Sequence, residues 1–202
     1  MAEQIVSKTS ASQVQELRQL TGAGIMDCKQ ALEEAKGNFE VARELLKKKG
    51  LDTAKKKAGR TANEGQVFSY IHLGGKIGVL VEINCETDFV ARNAEFQQFG
   101  RDVAMQIAAA QPDFVSWEEV DPAWLEREKL VFRDQAKDKP AQIQDKIIQG
   151  KLEKRFQEVC LLSQKFIKDE DKTIQDLLTE LTAKLGERVV IKRFGRFEVG
   201  SA

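Results

Sequence analysis

Gly65-Gln66-Val67-Phe68-Ser69-Tyr70-Ile71-His72, then Leu73-Gly74-Gly75-Lys76, then Ile77-Gly78-Val79-Leu80-Val81-Glu82-Ile83-Asn84-Cys85, is where the chain changes period. Residues 65–72 alternate, with Val67, Ser69 and Ile71 on one side and Phe68, Tyr70 and His72 on the other. A period of two is the mark of a strand, whose successive side chains point to opposite faces. Gly74-Gly75 fits a two-residue hairpin turn, and the strongly apolar run 77–85 reads as the returning strand.

Working outward, the C-terminal side supplies the rest of a core. A helix is expected over about 93–110, with Phe96, Phe99, Val103 and Ile107 on one stripe. Two longer, more polar helices follow near 122–138 and 140–158, with a break at Pro140, and suggest a protruding antiparallel pair. The polar stretch Lys168-Asp169-Glu170-Asp171-Lys172 reads as a loop before a last helix at about 173–185. Val189-Val190-Ile191-Lys192-Arg193-Phe194, running on through Phe197 and Val199, gives a third strand. The fold class is α+β, built on a three-stranded antiparallel sheet with packed helices.

Toward the N-terminus the period is helical. Ser10-Ala11-Ser12-Gln13 matches a capping box, and Val14, Leu17 and Leu20 follow at helical spacing. Thr21-Gly22-Ala23-Gly24 interrupts, after which Cys28, Ala31, Leu32 and Ala35 share a face. Gly37 stops that helix, Asn38 caps the next, and Val41, Ala42, Leu45 and Leu46 line the third as far as Gly50. Residues 1–50 therefore read as a three-helix docking module, too small to enclose a pocket. Residues 51–64 read as a basic linker, and residues 65–202 as the α+β core. The run Lys47-Lys48-Lys49, Lys55-Lys56-Lys57 and Arg60 has two readings: a solvated linker or helix face, or a charged contact with a partner.

Composition removes whole classes of function. Among 202 residues Lys plus Arg number 32 and Asp plus Glu number 32, leaving no net field to hold a polyanion. No aromatic residue is interleaved with the basic run for base stacking, so an RNA-binding accessory factor is disfavoured. Cys28, Cys85 and Cys160 are too far apart for a disulfide framework or zinc knuckle and read as reduced, buried thiols. A lone histidine cannot build a His-based metal site. Met1-Ala2-Glu3-Gln4-Ile5 lacks the basic and apolar regions of a signal peptide, and no run reaches the ~18 apolar residues of a membrane helix. The expectation is a cytoplasmic protein with no cofactor and no membrane contact.

Catalytic signatures are equally missing. Gly75-Lys76 is followed by Ile77 where a phosphate-binding loop has Ser or Thr, and Gly22-x-Gly24 has Asp27 where a dinucleotide fingerprint has its third glycine. His72 and Cys85, at about 3.3 Å per residue, stand roughly 26 Å apart along the hairpin, beyond any nucleophile–base contact. Catalysis by this chain alone is not expected.

The decisive motif is Asn84-Cys85-Glu86-Thr87-Asp88-Phe89-Val90-Ala91-Arg92-Asn93, at the handover from strand to helix. With Thr21-Gly22-Ala23-Gly24-Ile25-Met26-Asp27-Cys28-Lys29 and the tail Arg193-Phe194-Gly195-Arg196-Phe197-Glu198-Val199-Gly200, it closely resembles the translation elongation factor Ts family over nearly the whole chain. The resemblance implies a guanine-nucleotide exchange factor for elongation factor Tu, working in protein synthesis by binding alone. It implies that Thr87, Asp88, Phe89 and Val90 intrude near the magnesium site of the partner's G domain. It implies further that the N-terminal module, UBA-like in this family, docks through Ile25, Met26 and Lys29, with His72 as a further contact.

From the residues alone Phe89 keeps two readings, a core aromatic closing the corner or an exposed anchor, and Ile25 and Met26 keep a packing role. Only one hairpin and one long following helix are visible, whereas longer relatives carry two core subdomains. The short members are homodimers, so the resemblance implies a homodimer binding two copies of elongation factor Tu. Lys165 stands where relatives often have proline.

Overall fold

A computed structural model describes residues 9–201; the reading placed on Met1 to Ile5 lies outside the described residues. Helices α1 (Ala11–Thr21), α2 (Ile25–Glu34) and α3 (Phe39–Lys57) come first. The Ser10 capping box forms, Gly22 closes α1 in the left-handed conformation, and the Asn38 carboxamide accepts the Glu40 and Val41 N–H groups. Val14, Leu17, Cys28, Ala31, Leu32, Ala35, Ala42 and Leu46 form a small core of their own.

Three details of this module differ from the sequence reading, and the first is Val41, which is exposed while Ala42 and Leu46 carry the buried face of α3. Leu20 is exposed: at about 100° per residue it lies some 120° round the helix from Val14, off the buried stripe. Gly50 does not end α3, which runs on to Lys57 and takes up the first half of the expected linker. A glycine inside a helix costs about 1 kcal/mol against alanine. Here it faces Ala183, where an added Cβ would lie 3.5 Å from the Ala183 Cβ, so the small residue suits close helix packing.

The strands β1 (Glu64–Ile71) and β2 (Ile77–Cys85) pair antiparallel, with Ile71 opposite Gly78 and Glu64 opposite Cys85. The expected two-residue turn is instead a four-residue loop, 73–76: the His72 N–H donates to the Ile77 carbonyl and the Gly75 N–H to the His72 carbonyl, with Gly74 and Gly75 at φ of 91° and 69°, which L side chains rarely adopt. Next come the short α4 (Asp88–Ala91), α5 (Ala94–Ala110), α6 (Pro122–Ala136) and α7 (Ala141–Val159). The small strands β3 (Lys165–Phe166) and β4 (Asp169–Thr173) lead to α8 (Ile174–Leu185) and β5 (Val190–Glu198). The sheet order is β1-β2-β5, all antiparallel.

One face of the sheet carries the main core. Phe68, Val79, Val81, Ile83 and Ile191 meet Phe96, Phe99, Val103 and Ile107 of α5 and Ile174 and Leu181 of α8. Gly100 lets α5 settle on β1, since an added Cβ would lie 2.3 Å from the Phe68 ring.

The polar stretch 168–172, expected as a loop, forms the second strand of the β3–β4 hairpin. Lys, Asp and Glu are poor strand formers, so local sequence hides it; buried Phe166 beside the turn and buried Ile174 just after β4 hold it in place. Helices α6 and α7 pair antiparallel, with Arg155 3.5 Å from Glu128 and Lys151 over the Phe132 ring. Their base is fixed by two buried glutamines. Gln164 donates to the Glu158 and Ala110 carbonyls, while Gln106 donates to the Gln164 side chain and the Lys165 carbonyl and accepts from the Ile167 N–H. Every buried polar atom of that pair is thereby satisfied.

Candidate functional site

At the end of β2 the chain must leave the sheet and enter α5 within a few residues. Cys85 is buried and its thiol donates to the Thr87 carbonyl at 3.1 Å. Thr87 has extended backbone and caps α4, accepting the Val90 N–H. Ala91 is buried and Val90 packs on the main core. With those two turned inward, the helical rotation of the intervening turn throws Phe89 outward, and it is 80% exposed.

The four motif residues therefore divide by position. Phe89 forms the tip, Asp88 lies beside it, and Val90 and Thr87 belong to the support. The Asp88 carboxylate meets Arg92 at 2.7 Å, an i,i+4 pair open to solvent and weak for that reason.

The root of the turn is held from across the molecule. Thr87 donates its N–H and its hydroxyl to the Glu187 carboxylate at 3.0 and 2.7 Å. Glu86 accepts the Arg188 N–H at 2.6 Å and the Arg60 guanidinium at 3.2 Å. The Arg188 N–H, aided by Arg60, holds the Glu86 carboxyl below the usual carboxylate range, against a smaller opposing effect of burial.

A second apolar feature lies at the start of α2, where Gly24 caps the helix without a side chain. Ile25 and Met26 are exposed there, and Leu20 of α1 is exposed as well. Lys29 on the same helix lies 3.9 Å from Glu33 in a solvent-facing pair. Cys28 turns into the small core, while Asp27 reaches across to Lys49 of α3 at 2.7 Å in a half-exposed pair. Packing inside the module is thus carried by Cys28, Ala31 and Leu32, and leaves Ile25 and Met26 unused.

His72 stands apart from both features. It follows β1 directly, its N–H donates to the Ile77 carbonyl, and its Nδ1 lies 3.0 Å from the Tyr70 hydroxyl. Cys85 pairs with Glu64 at the opposite end of the hairpin, so His72 and the Phe89 turn lie at opposite ends of the sheet.

The outer face of the sheet is a further apolar surface that the residue pattern did not single out. Val67, Ile71, Leu80 and Phe197 are exposed on it, with Gly78 and Gly195 between them. The alternation in β1 was a signal for it: Val67 and Ile71 form an apolar set opposite the buried Phe68.

The remaining chemistry is quiet. Burial pushes the Cys85 and Cys160 thiols up to about 11, and the Cys28 thiol is raised for the same reason, so few thiolates exist near neutral pH. Among the described residues no cluster of His, Cys, Asp and Glu could hold a metal, and no helix is long and apolar enough to cross a membrane. In the basic run, Lys47 meets Asp176, Lys49 meets Asp27, Lys57 donates to the Gly186 carbonyl and Arg60 meets Glu86. Those contacts favour a structural use of the run: Lys47 and Lys57 tie α3 to α8, Lys49 ties it to α2, and Arg60 ties the segment after α3 to the end of β2.

The geometry thus presents exposed apolar side chains at two places, Phe89 on a turn tied to Glu187 and Ile25 with Met26 at the start of α2. The family model described as elongation factor TS matches residues 1–201. An elongation factor Ts from Caldanaerobacter subterraneus subsp. tengcongensis is 58% identical over 193 residues, covering 95% of this chain and 96% of that protein. Those from Carboxydothermus hydrogenoformans and Desulforamulus reducens are 58% and 56% identical, with 89% and 91% of their lengths covered and 95% and 96% of this chain. The chain belongs to the elongation factor Ts family.

Proposed function

We propose that the chain is a guanine-nucleotide exchange factor for elongation factor Tu, working in the cytoplasm by binding and without chemistry of its own. The observation that carries this reading is Phe89, almost fully exposed on a turn whose root is fixed. An exposed aromatic on a fixed support is poorly explained by the protein's own core and well suited to a pocket in a partner.

Exchange needs only negative coupling, in which factor and nucleotide weaken each other's binding by the same ratio. Each tenfold loss of nucleotide affinity requires about 1.4 kcal/mol of differential interaction. Burial of one Phe side chain is worth roughly 1.5–3 kcal/mol, so Phe89 supplies about one to two decades and docking elsewhere supplies the rest. Ile25, Met26 and Lys29 are proposed for that docking, and His72 for a lesser contact. Magnesium demands near-octahedral geometry, so Phe89 and Asp88, pressing beside its site, loosen the metal and the phosphates it bridges. The test is GDP release from elongation factor Tu with and without the purified chain. Release faster by orders of magnitude is expected, and an unchanged rate would end this reading.

The same reading includes a homodimer, with one elongation factor Tu on each protomer. The exposed outer face of the sheet, with Val67, Ile71, Leu80 and Phe197, supports a second copy as its cover, since such faces mark association surfaces. Sedimentation should give a dimer, and Leu80→Glu should give a folded monomer. A wild-type protein that sediments as a monomer at every concentration would remove the dimer from the proposal.

A further inference from the structure

We propose that Glu187 is a positioning residue for nucleotide exchange: its carboxylate fixes the root of the Thr87–Ala91 turn and so aims Phe89. The inference rests on the exchange reading above. Both oxygens of this carboxylate serve one residue, taking the Thr87 hydroxyl at 2.7 Å and the Thr87 N–H at 3.0 Å. One group thereby sets the backbone and the χ1 angle of Thr87 together.

The hydrogen-bond roles fit without conflict. The Thr87 hydroxyl gives its only proton to Glu187, which leaves its lone pairs for the Val90 N–H at 3.4 Å. That bond caps α4, a helix of four residues. So short a helix has almost no internal hydrogen bonding to hold it, and its direction depends on its ends. The C-terminal end runs straight into α5 through Asn93, whose carboxamide accepts the Glu95 N–H. The N-terminal end depends on Thr87.

The tie is also reciprocal. Glu187 reaches Thr87 while Glu86 reaches the Arg188 N–H, so two adjacent residues on each segment cross-link it to the other. Among the described residues Glu187 forms no ion pair. Its carboxylate has the Thr87 turn as its partner.

The consequence is a division of labour. Phe89 touches the partner, while Glu187 makes Phe89 arrive in one orientation, so that little conformational freedom is lost on insertion. GDP release from elongation factor Tu, followed with a fluorescent GDP over a range of factor concentrations, separates the two roles. Glu187→Ala should lower the maximal rate by about tenfold, within the one to two decades assigned to Phe89, with a nearly unchanged half-saturating concentration because α2 docking persists. Glu187→Gln, which keeps one acceptor and can donate to the Thr87 hydroxyl, should recover part of that loss. The Glu187→Ala/Phe89→Ala double variant should be no slower than Phe89→Ala alone.

Additive losses in the double variant would overturn the inference, because Glu187 would then act independently of Phe89. A full maximal rate in Glu187→Ala beside a slow Phe89→Ala would overturn the inference alone and leave the exchange reading standing. Full activity in Phe89→Ala would overturn the inference and take Phe89 off the exchange surface, while the exchange reading itself stands or falls with the wild-type rate. Should Glu187→Ala melt early, Glu187→Gln in the same cycle carries the test, with equality of Phe89→Ala and Glu187→Gln/Phe89→Ala as the supporting result and additivity as the refuting one.

Discussion

Phe89→Ala should slow stimulated GDP release by about tenfold or more at a fixed factor concentration, while the melting temperature stays where it was. The size follows from the roughly 1.5–3 kcal/mol gained when a Phe side chain leaves water, set against about 1.4 kcal/mol for each decade. The lack of a stability effect follows from position. Phe89 is 80% exposed, and Val90 and Ala91 supply the inward contacts of the same turn. Thermal unfolding by circular dichroism and exchange kinetics on one preparation give both numbers. A large fall in melting temperature would make Phe89 a core residue, and unchanged kinetics would remove it from the exchange surface.

Phe96→Ala should do the reverse. Phe96 is fully buried on α5, and its ring lies 5.9 Å from that of Phe68 in the centre of the main core. Truncation of a packed Phe costs about 3–5 kcal/mol, the lost transfer energy plus the cavity left behind. For a protein of this size each kcal/mol shifts the melting temperature by about 2–4 °C, so a fall of roughly 6–20 °C is expected. Below that lowered transition, stimulated GDP release should remain close to wild type, because the Thr87–Ala91 turn and its Glu187 tie are untouched. An unchanged melting temperature would mean that α5 does not seat Phe96 against Phe68. Two phenylalanines on consecutive elements thus carry opposite signatures, one in rate and one in stability.

Local features of the chain were legible from residue pattern. The Ser10 box, the Asn38 cap, the α5 stripe and the β2 run each depend on interactions within a few residues, and each formed as expected, whereas the Gly74-Gly75 turn widened into the loop 73–76. The features that escaped depend on residues far apart. Gly50 stays helical because α8 lies against it, and 168–172 pairs as a strand because Phe166 and Ile174 are anchored in a core the local sequence does not display. Leu20 was assignable in principle, since its angle around α1 takes it off the buried stripe.

By itself the sequence determined the order and type of the principal elements, the absence of net charge, and membership in a family through the motifs at 21–29 and 84–93. Periodicity and capping are short-range physics, and a motif is a string, so both survive without coordinates. It left open which way Phe89 faces, because a strand-to-helix corner accommodates an aromatic inside or outside at equal sequence cost. The tertiary structure decided that by burying Cys85 and Ala91 and packing Val90 against the core beside it. It also brought Glu187 to Thr87, a contact spanning 100 residues, and left Val67, Ile71, Leu80 and Phe197 uncovered together on one sheet face. Both outcomes come from register and packing between distant segments, which chain order constrains but does not display.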